Sequence, residues 1–318
     1  MSLEDILCDQ HYQNTHKRDD TGRYIVQVPI KDLHKLGESK HLAEQKLNQL
    51  WRRLSQNDTM RSHYIKFMQE YLDMGHVEPV ETEDDQDPED KSNYPHCYLQ
   101  HHRVYRPEKT TTPLRIVFNA SEPTSTGVSL NDPQMKGQVK EDIFDILMRF
   151  RKHHIVFTTD IQKMFHQILV EPSQRNLLRI LWKTSEYQPN KTYRLKTIIY
   201  GTTSAPFLAT RAILQAARDE FERFPLAAEA LERDIYMDDV VSGMDNVLTA
   251  VRLKSELSGL LRSCGMKLHK CKSNAVELDE STDVVEHRFT NTNETTKTLS
   301  SGMPEQMNSG FNSLRLKG

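Results

Sequence analysis

The sequence predicts an α+β fold organised around an antiparallel sheet. Three observations carry that expectation. Helical and strand-like segments alternate irregularly, neighbouring strand-like stretches stand close enough to form hairpins, and no internal repeat runs through the chain. This pattern suits an α+β arrangement better than a doubly wound parallel sheet. The 318 residues suffice for one large domain or two small ones with a buried core.

Residues 1–37 read as mixed and polar, with one strand-like stretch from Tyr24 to Ile30. Two helical segments follow. In the second, Asp58 stands as N-cap, Met60, Tyr64, Phe67, Met68 and Tyr71 form an apolar stripe, and Gly75 closes it. ETEDDQDPED (81–90) holds seven acids in ten residues and reads as a solvated loop. The charge then reverses through His101, His102, Arg103, Arg106, Lys109 and Arg115, a stretch that suits two strands joined by a basic tip. Residues 141–152 read as a helix, and His154–Thr159 as a strand ending at Asp160. Leu177–Trp182 and Tyr193–Tyr200 read as a hairpin.

Ser204 and Pro206 stand where a helix cap and first turn belong. Phe207, Thr210, Ile213, Leu214, Ala217, Phe221 and Phe224 follow at helical spacing. A short strand pair centres on Tyr236–Asp239, a helix spans about Asn246 to Cys264 before Gly265, and MKLHK (266–270) is strand-like. Beyond about residue 278 the chain is rich in Ser, Thr and Asn, with little periodicity.

Lys and Arg number 42 against 45 Asp and Glu, a net charge of −3. That argues against nucleic-acid binding through bulk positive charge, but leaves room for a local basic groove. Apolar residues make up 36%, below the roughly 45–50% of globular domains, so part of the length is expected to pack poorly. No run approaches the roughly 18 apolar residues of a membrane span, and MSLEDILCDQ lacks the layout of a signal peptide. Cys8, Cys97, Cys264 and Cys271 form no C-x-x-C and are expected as reduced thiols. The expected setting is intracellular and cytoplasmic, with no membrane partner. His96, Cys97, His101 and His102 stand together at a spacing that fits no common structural zinc site.

Carboxylates carry the chemistry. An apolar strand, HHIVFTTD, delivers Asp160, and DIYMDDVVSG places Asp238 and Asp239 side by side between short apolar arms. Adjacent acids in a tight turn repel, which favours partial protonation. A hard divalent cation removes that cost, and Mg²⁺ takes such oxygen ligands while keeping waters and substrate phosphates. If the strands holding these acids are neighbours, Asp160 and Asp238 converge on a site for two ions. Ions about 3.5–4 Å apart activate a 3′-oxygen and steady leaving pyrophosphate. A lone Asp at a turn is ordinarily just a capping residue.

Tyr236-Met237-Asp238-Asp239 on a hairpin resembles the YMDD box of reverse transcriptases, and the flanking motifs match in order. FTTDIQKMFHQI (157–168) resembles their motif A, YGTTSAPFLAT (200–210) motif B, GMKLHKCKSN (265–274) motif D, and LRIVFNASEPTSTGVSLND (114–132) the fingers motif. The wording is similar to that of BEL/Pao-type LTR retrotransposon polymerases, from about Asp20 to Leu278.

The resemblance implies a right-hand polymerase: 1–100 as N-terminal extension and start of the fingers, 101–153 fingers, 154–278 palm, and 279–318 an incomplete thumb or tail. It implies an RNA-directed DNA polymerase that adds deoxynucleotides to a primer 3′-OH on an RNA or DNA template. Asp160 and Asp238 would bind two Mg²⁺ ions, with Mn²⁺ as substitute, and Asp239 would be the third acid. Phe165, five residues after Asp160, falls at the family's steric-gate position, although Met164 and Phe165 also read as core. Arg115 matches the fingers Arg that grips triphosphate oxygens, with Lys109 as a second phosphate contact.

Tyr200 and Gly201 open motif B. Gly201 would let backbone approach the substrate or template, and Tyr200 alternatively ends its strand as a core residue. Lys270 is the motif D candidate for protonating pyrophosphate, with Lys267 competing. Gln100 replaces a family Pro, and KTLSSGMPEQ (297–306) resembles the family's primer-gripping segment with its Gly and Trp positions disturbed. The chain is therefore expected to be a piece of a Pol polyprotein, with other Pol domains and a retrotransposon particle as its setting. Other readings stay open: an inactive retroelement remnant, a host-recruited nucleic-acid-binding module, or a two-metal nuclease or phosphatase. The last explains the acids but not the aromatic after Asp160 or the YMDD hairpin.

Overall fold

The computed structural model describes residues 2–80, 94–105, 114–139 and 142–278. The acidic run 81–90, the basic tip with Lys109, and everything after 278 lie outside those residues.

Helix α1 (Leu3–Thr15) opens the chain where the sequence reads as mixed and polar. The signal is a capping box: Ser2 Oγ accepts the Asp5 N–H, and the Asp5 carboxylate accepts the Ser2 N–H at 2.7 Å. Its buried face is only Cys8 and Tyr12, too narrow to stand out as a helical stripe. Strands β1 (Lys17–Arg18) and β2 (Tyr24–Val26) pair antiparallel. The expected strand through Ile30 stops at Val26, and Ile30 makes only an isolated bridge to Gln134.

Helix α2 (Lys40–Leu54) buries Ala43, Leu47, Trp51 and Leu54. Helix α3 (Asp58–Asp73) buries Met60, Tyr64, Met68 and Tyr71, so the expected stripe is largely real. Its cap is Asn57, one residue before the expected Asp58, and accepts the Met60 N–H. Gly75 follows the helix with φ +67, the left-handed conformation that ends helices.

Strands β3 (Val77–Pro79), β4 (Gln100–Tyr105) and β5 (Leu114–Asn119) come next. β4 and β5 are the antiparallel arms expected around the basic tip. Asp142 caps helix α4 (Ile143–Phe150). Strand β6 (Ile155–Ile161) carries Asp160 within it, one residue further than expected. After a 3-10 turn at Met164–Gln167 come β7 (Leu169–Val170), β8 (Arg179–Trp182) and β9 (Lys191–Leu195). Leu177 and Leu178 belong to a 3-10 helix opened by Pro172 rather than to the strand expected there. Past Leu195 the expected strand gives way to contacts with β7: the Val170 N–H donates to the Lys196 carbonyl.

Helix α5 (Ala205–Asp219) ends short of the expected Phe224, and α6 (Pro225–Arg233) begins anew. Proline cannot continue a helix and bars the residue before it from helical backbone. Phe224 accordingly sits at φ −138. Strands β10 (Ile235–Tyr236) and β11 (Asp239–Met244), helix α7 (Val247–Ser263) and strand β12 (Leu268–Ser273) complete the order.

The described residues fall into two compact units. The first comprises residues up to Asp19, Tyr24–Gln138 and Phe165–Leu208; the second, Asp20–Arg23, Val139–Met164 and those from Ala209 onward. The first holds three small sheets, ordered β1-β2-β7, β3-β9-β8 and β4-β5, with β2 and β7 parallel. Trp51 and Trp182 are buried there with ring centroids 5.6 Å apart. The second is built on one antiparallel sheet, β10-β11-β6-β12. Ile146 and Phe150 of α4 pack with Val241 of β11, and α7 buries Ala250, Leu253, Leu257, Leu260 and Leu261. Each large apolar side chain so buried stabilises by about 1.5–3 kcal/mol.

Candidate active site

The antiparallel sheet of the second unit brings the three acids together through its backbone register. β11 pairs with β6 so that Asp239 stands directly across from Asp160. Residues directly opposite in an antiparallel pair project to the same face. Asp238 occupies the two-residue turn between β10 and β11, and its carbonyl accepts the Ile161 N–H at 2.7 Å. The strand expectation thus holds, with Asp239 rather than Asp238 as the direct cross-strand neighbour.

Asp160 is half-buried. Its carboxyl is raised above the usual range, first because burial disfavours the charged form and further by the charge of Asp238. His269 and Lys270 pull the other way. Both lie on β12, the other neighbour of β6, where His269 pairs with Asp160. The register slips between His269 and Lys272, so Lys270 and Cys271 together face one residue, Thr159. Such a bulge re-aims side chains and is common beside active sites. Thr159 Oγ1 donates to the His269 carbonyl at 3.1 Å.

Backbone strain gathers at the same place. The non-glycine residues with positive φ, among those described, are Lys163 (+50), Met237 (+58) and Lys270 (+54). Lys163 follows Asp160 by three residues, Met237 precedes Asp238, and Lys270 follows His269. Each costs on the order of 1–2 kcal/mol, and such residues cluster where function demands them.

Asp160 and Asp239 on paired strands and Asp238 in the adjoining turn offer hard oxygen donors of the type that suits Mg²⁺. Among the described residues, however, no three His, Cys, Asp or Glu side chains are gathered as a ready ligand set. The backbone and the chemistry of the donors fit a divalent ion.

Other expected residues belong to the first unit. Arg115 is exposed on β5, on the face opposite buried Leu114, Ile116 and Phe118. Phe165 is buried, 3% exposed, with its ring 4.3 Å from that of Tyr200, which is 42% exposed. Phe165 is thus part of a core and Tyr200 a surface ring, the reverse of a strand-end core residue. Gly201 has φ +98, and a Cβ there would lie 3.2 Å from the Phe118 carbonyl. A side chain would be strained on both counts, so glycine is required.

This loop is held by residues that no local pattern marks. Asn131 Nδ2 donates to the Gly201 carbonyl at 2.8 Å, and its Oδ1 accepts the Thr203 N–H at 2.9 Å. Gln134 Oε1 accepts from both the backbone N–H and the hydroxyl of Ser204. No local pattern marks His269 either. Asn131 and His269 both lie inside quoted motifs, but their partners are more than 65 residues away in sequence. His101, in the His/Cys group, has both ring nitrogens engaged: Nε2 donates to the Leu181 carbonyl at 2.9 Å, leaving Nδ1 to accept the Tyr64 hydroxyl at 2.5 Å.

Residues 107–300 match the model of the family described as reverse transcriptase (RNA-dependent DNA polymerase). The match covers more than half of the chain, which therefore belongs to the reverse transcriptase family. It is a nucleotidyltransferase domain whose substrates are a nucleic-acid template and nucleotides, and such domains generally use divalent metal ions. No curated protein matches the chain. Among the described residues, no helix is long and apolar enough to cross a membrane.

Proposed function

We propose that the chain is the polymerase core of a BEL/Pao-type LTR retrotransposon reverse transcriptase, with fingers in 101–153 and palm in 154–278. It extends a primer 3′-OH by two-metal chemistry. The observation that carries this reading is the cross-strand pair Asp160 and Asp239, with Asp238 in the adjoining turn bonded to β6 through its carbonyl. Motif order supports the retrotransposon assignment.

Asp160, Asp238 and Asp239 would hold the divalent ions. Bound there, the metal neutralises phosphate charge and lowers the pKa of the attacking hydroxyl. The protein's own part is positioning and charge placement. The raised pKa of Asp160 marks a site that gains from a bound cation. Arg115 offers a planar fork to triphosphate oxygens, with Lys109 as a second contact. Phe165, at the family's gate position, would exclude a 2′-hydroxyl through the Tyr200 ring packed on it, and Gly201 would allow close backbone approach. Lys270, held in the left-handed region of the β12 bulge and close enough for its charge to act on Asp160, donates a proton to pyrophosphate.

The test is primer extension on an RNA template with Mg²⁺ and deoxynucleotides, in parent and Asp238→Asn proteins. Extension by the parent alone supports the reading. No extension by a folded parent, with Mn²⁺ also supplied, rejects it.

A further inference from the structure

Phe165 and Tyr200 are joined to a buried polar pair that the proposed chemistry does not use. The Tyr71 hydroxyl of α3 and Nε2 of His166 share a hydrogen bond of 2.6 Å, and both residues are buried. Their rings meet edge to face at 5.1 Å. The same His166 ring stands edge to face with Tyr200 at 5.9 Å and 81°, while Phe165, its chain neighbour, packs on Tyr200 at 4.3 Å. The Tyr71 ring also lies 5.9 Å from Phe118, the residue whose carbonyl crowds Gly201.

We propose that Tyr71 and His166 are positioning residues for nucleotide selection, a brace that seats Tyr200 on Phe165 at the angle that excludes a ribose. The proposal rests on the reading of Phe165 and Tyr200 given above. Aromatic pairs have broad minima in tilt and offset, so a ring that is 42% exposed needs a second constraint to hold one orientation. His166 supplies it from one side. Its own ring cannot turn without breaking the bond to Tyr71, and a buried polar atom left unpaired is costly. The burial that raises the Tyr71 hydroxyl pKa far above its ordinary value also keeps that bond in place. A brace remote in sequence, Tyr71 against His166, thereby reaches the loop that carries motif B.

The test compares incorporation of dCTP and CTP on an RNA template with Mg²⁺, as kcat/KM ratios, in the full chain. Tyr71→Phe keeps the ring and removes the hydroxyl. It should lower the preference for dCTP about three- to tenfold, as expected for one buried hydrogen bond, with kcat for dCTP little changed. His166→Gln, which can still bond Tyr71, should keep more of the preference than His166→Leu. If the brace acts through Tyr200, Tyr71→Phe should have no further effect in a Tyr200→Ala background.

An unchanged preference in Tyr71→Phe, while Phe165→Val relaxes it, overturns the brace and leaves the gate standing. An equal loss in the Tyr200→Ala background also overturns it. If Phe165→Val polymerises with unchanged preference, the gate reading fails and the brace falls with it.

Discussion

The acid-bearing sheet of the second unit and the Tyr200 loop of the first hold their residues by different means. Asp160, Asp238, Asp239 and His269 are placed by strand register and by backbone hydrogen bonds such as Ile161 N–H to the Asp238 carbonyl. Tyr200 and Gly201 are placed by side chains from distant segments, Asn131, Phe165 and His166, with the Phe118 carbonyl close against Gly201. Register tolerates substitution of the side chains it carries, because the ladder does not depend on them. A loop held by side chains loses its shape when one of them changes. Chemistry and stability should therefore separate cleanly in the first case and travel together in the second.

The largest expected effect is on the sheet. Asp160→Asn or Asp238→Asn should cut primer extension by on the order of 10³-fold or more, and Asp160→Asn should melt at a temperature equal to or above the parent's. The sign follows from Asp160. Its folded pKa is raised, so in the metal-free fold its stabilising contribution is present at low pH and lost as pH rises through that folded value. Wherever that carboxylate is charged it is a liability in the metal-free fold, and an amide removes it. A clear drop in melting temperature would show that the acids also hold the fold.

Acid should strike the first unit next. His101 is lowered to about 4, chiefly by burial, and its ordinary pKa is about 6.5. Because the folded value lies below the unfolded one, stability from the neutral ring is full above about 6.5 and is lost as pH falls toward 4. The loss is at most about 3 kcal/mol, since part of the residue's surface remains in contact with solvent. Both tryptophans of the chain belong to this unit, so tryptophan fluorescence during urea unfolding reports from it. A flat midpoint between pH 7 and 4.5 would count against the neutral His101.

Two changes in the loop sharpen the contrast. Gly201→Ala forces a side chain into positive φ and toward the Phe118 carbonyl. It should cost about 1–3 kcal/mol by urea titration and reduce extension as well. Asn131→Ala removes hydrogen bonds to Gly201 and Thr203 and should cost about 1–2 kcal/mol. Hydrogen exchange at the Thr203 amide should quicken. Full activity in either variant would mean that the loop keeps its shape without these contacts.

The fold was readable wherever a pattern repeats locally. Met60, Tyr64, Met68 and Tyr71 mark α3 by their spacing, and the strand arms around Asp160 and Asp238 by runs of apolar and β-branched residues. Errors came where local pattern is thin or misleading. Helix α1 buries only Cys8 and Tyr12, and Phe221 and Phe224 extend the periodicity of α5 past its real end at Asp219. Pro225 then opens α6 and holds Phe224 out of helical backbone, and a Cβ on Gly259 of α7 would approach the Phe224 ring to 2.7 Å.

By itself, then, the sequence determined the identity and order of the acid-bearing motifs. Residue type and spacing within one strand or turn are local properties, and the carboxylates, the YMDD turn and the apolar arms are contiguous. Tertiary structure alone decided that Asp239 faces Asp160, that His269 lies on its other side, that Phe165 is buried beneath an exposed Tyr200, and that Asn131 and Tyr71 reach the motif B loop. Those facts depend on register and on contacts between residues far apart in the chain. No window of sequence contains both partners, so only folding, which buries apolar surface at the expense of chain entropy, brings them together.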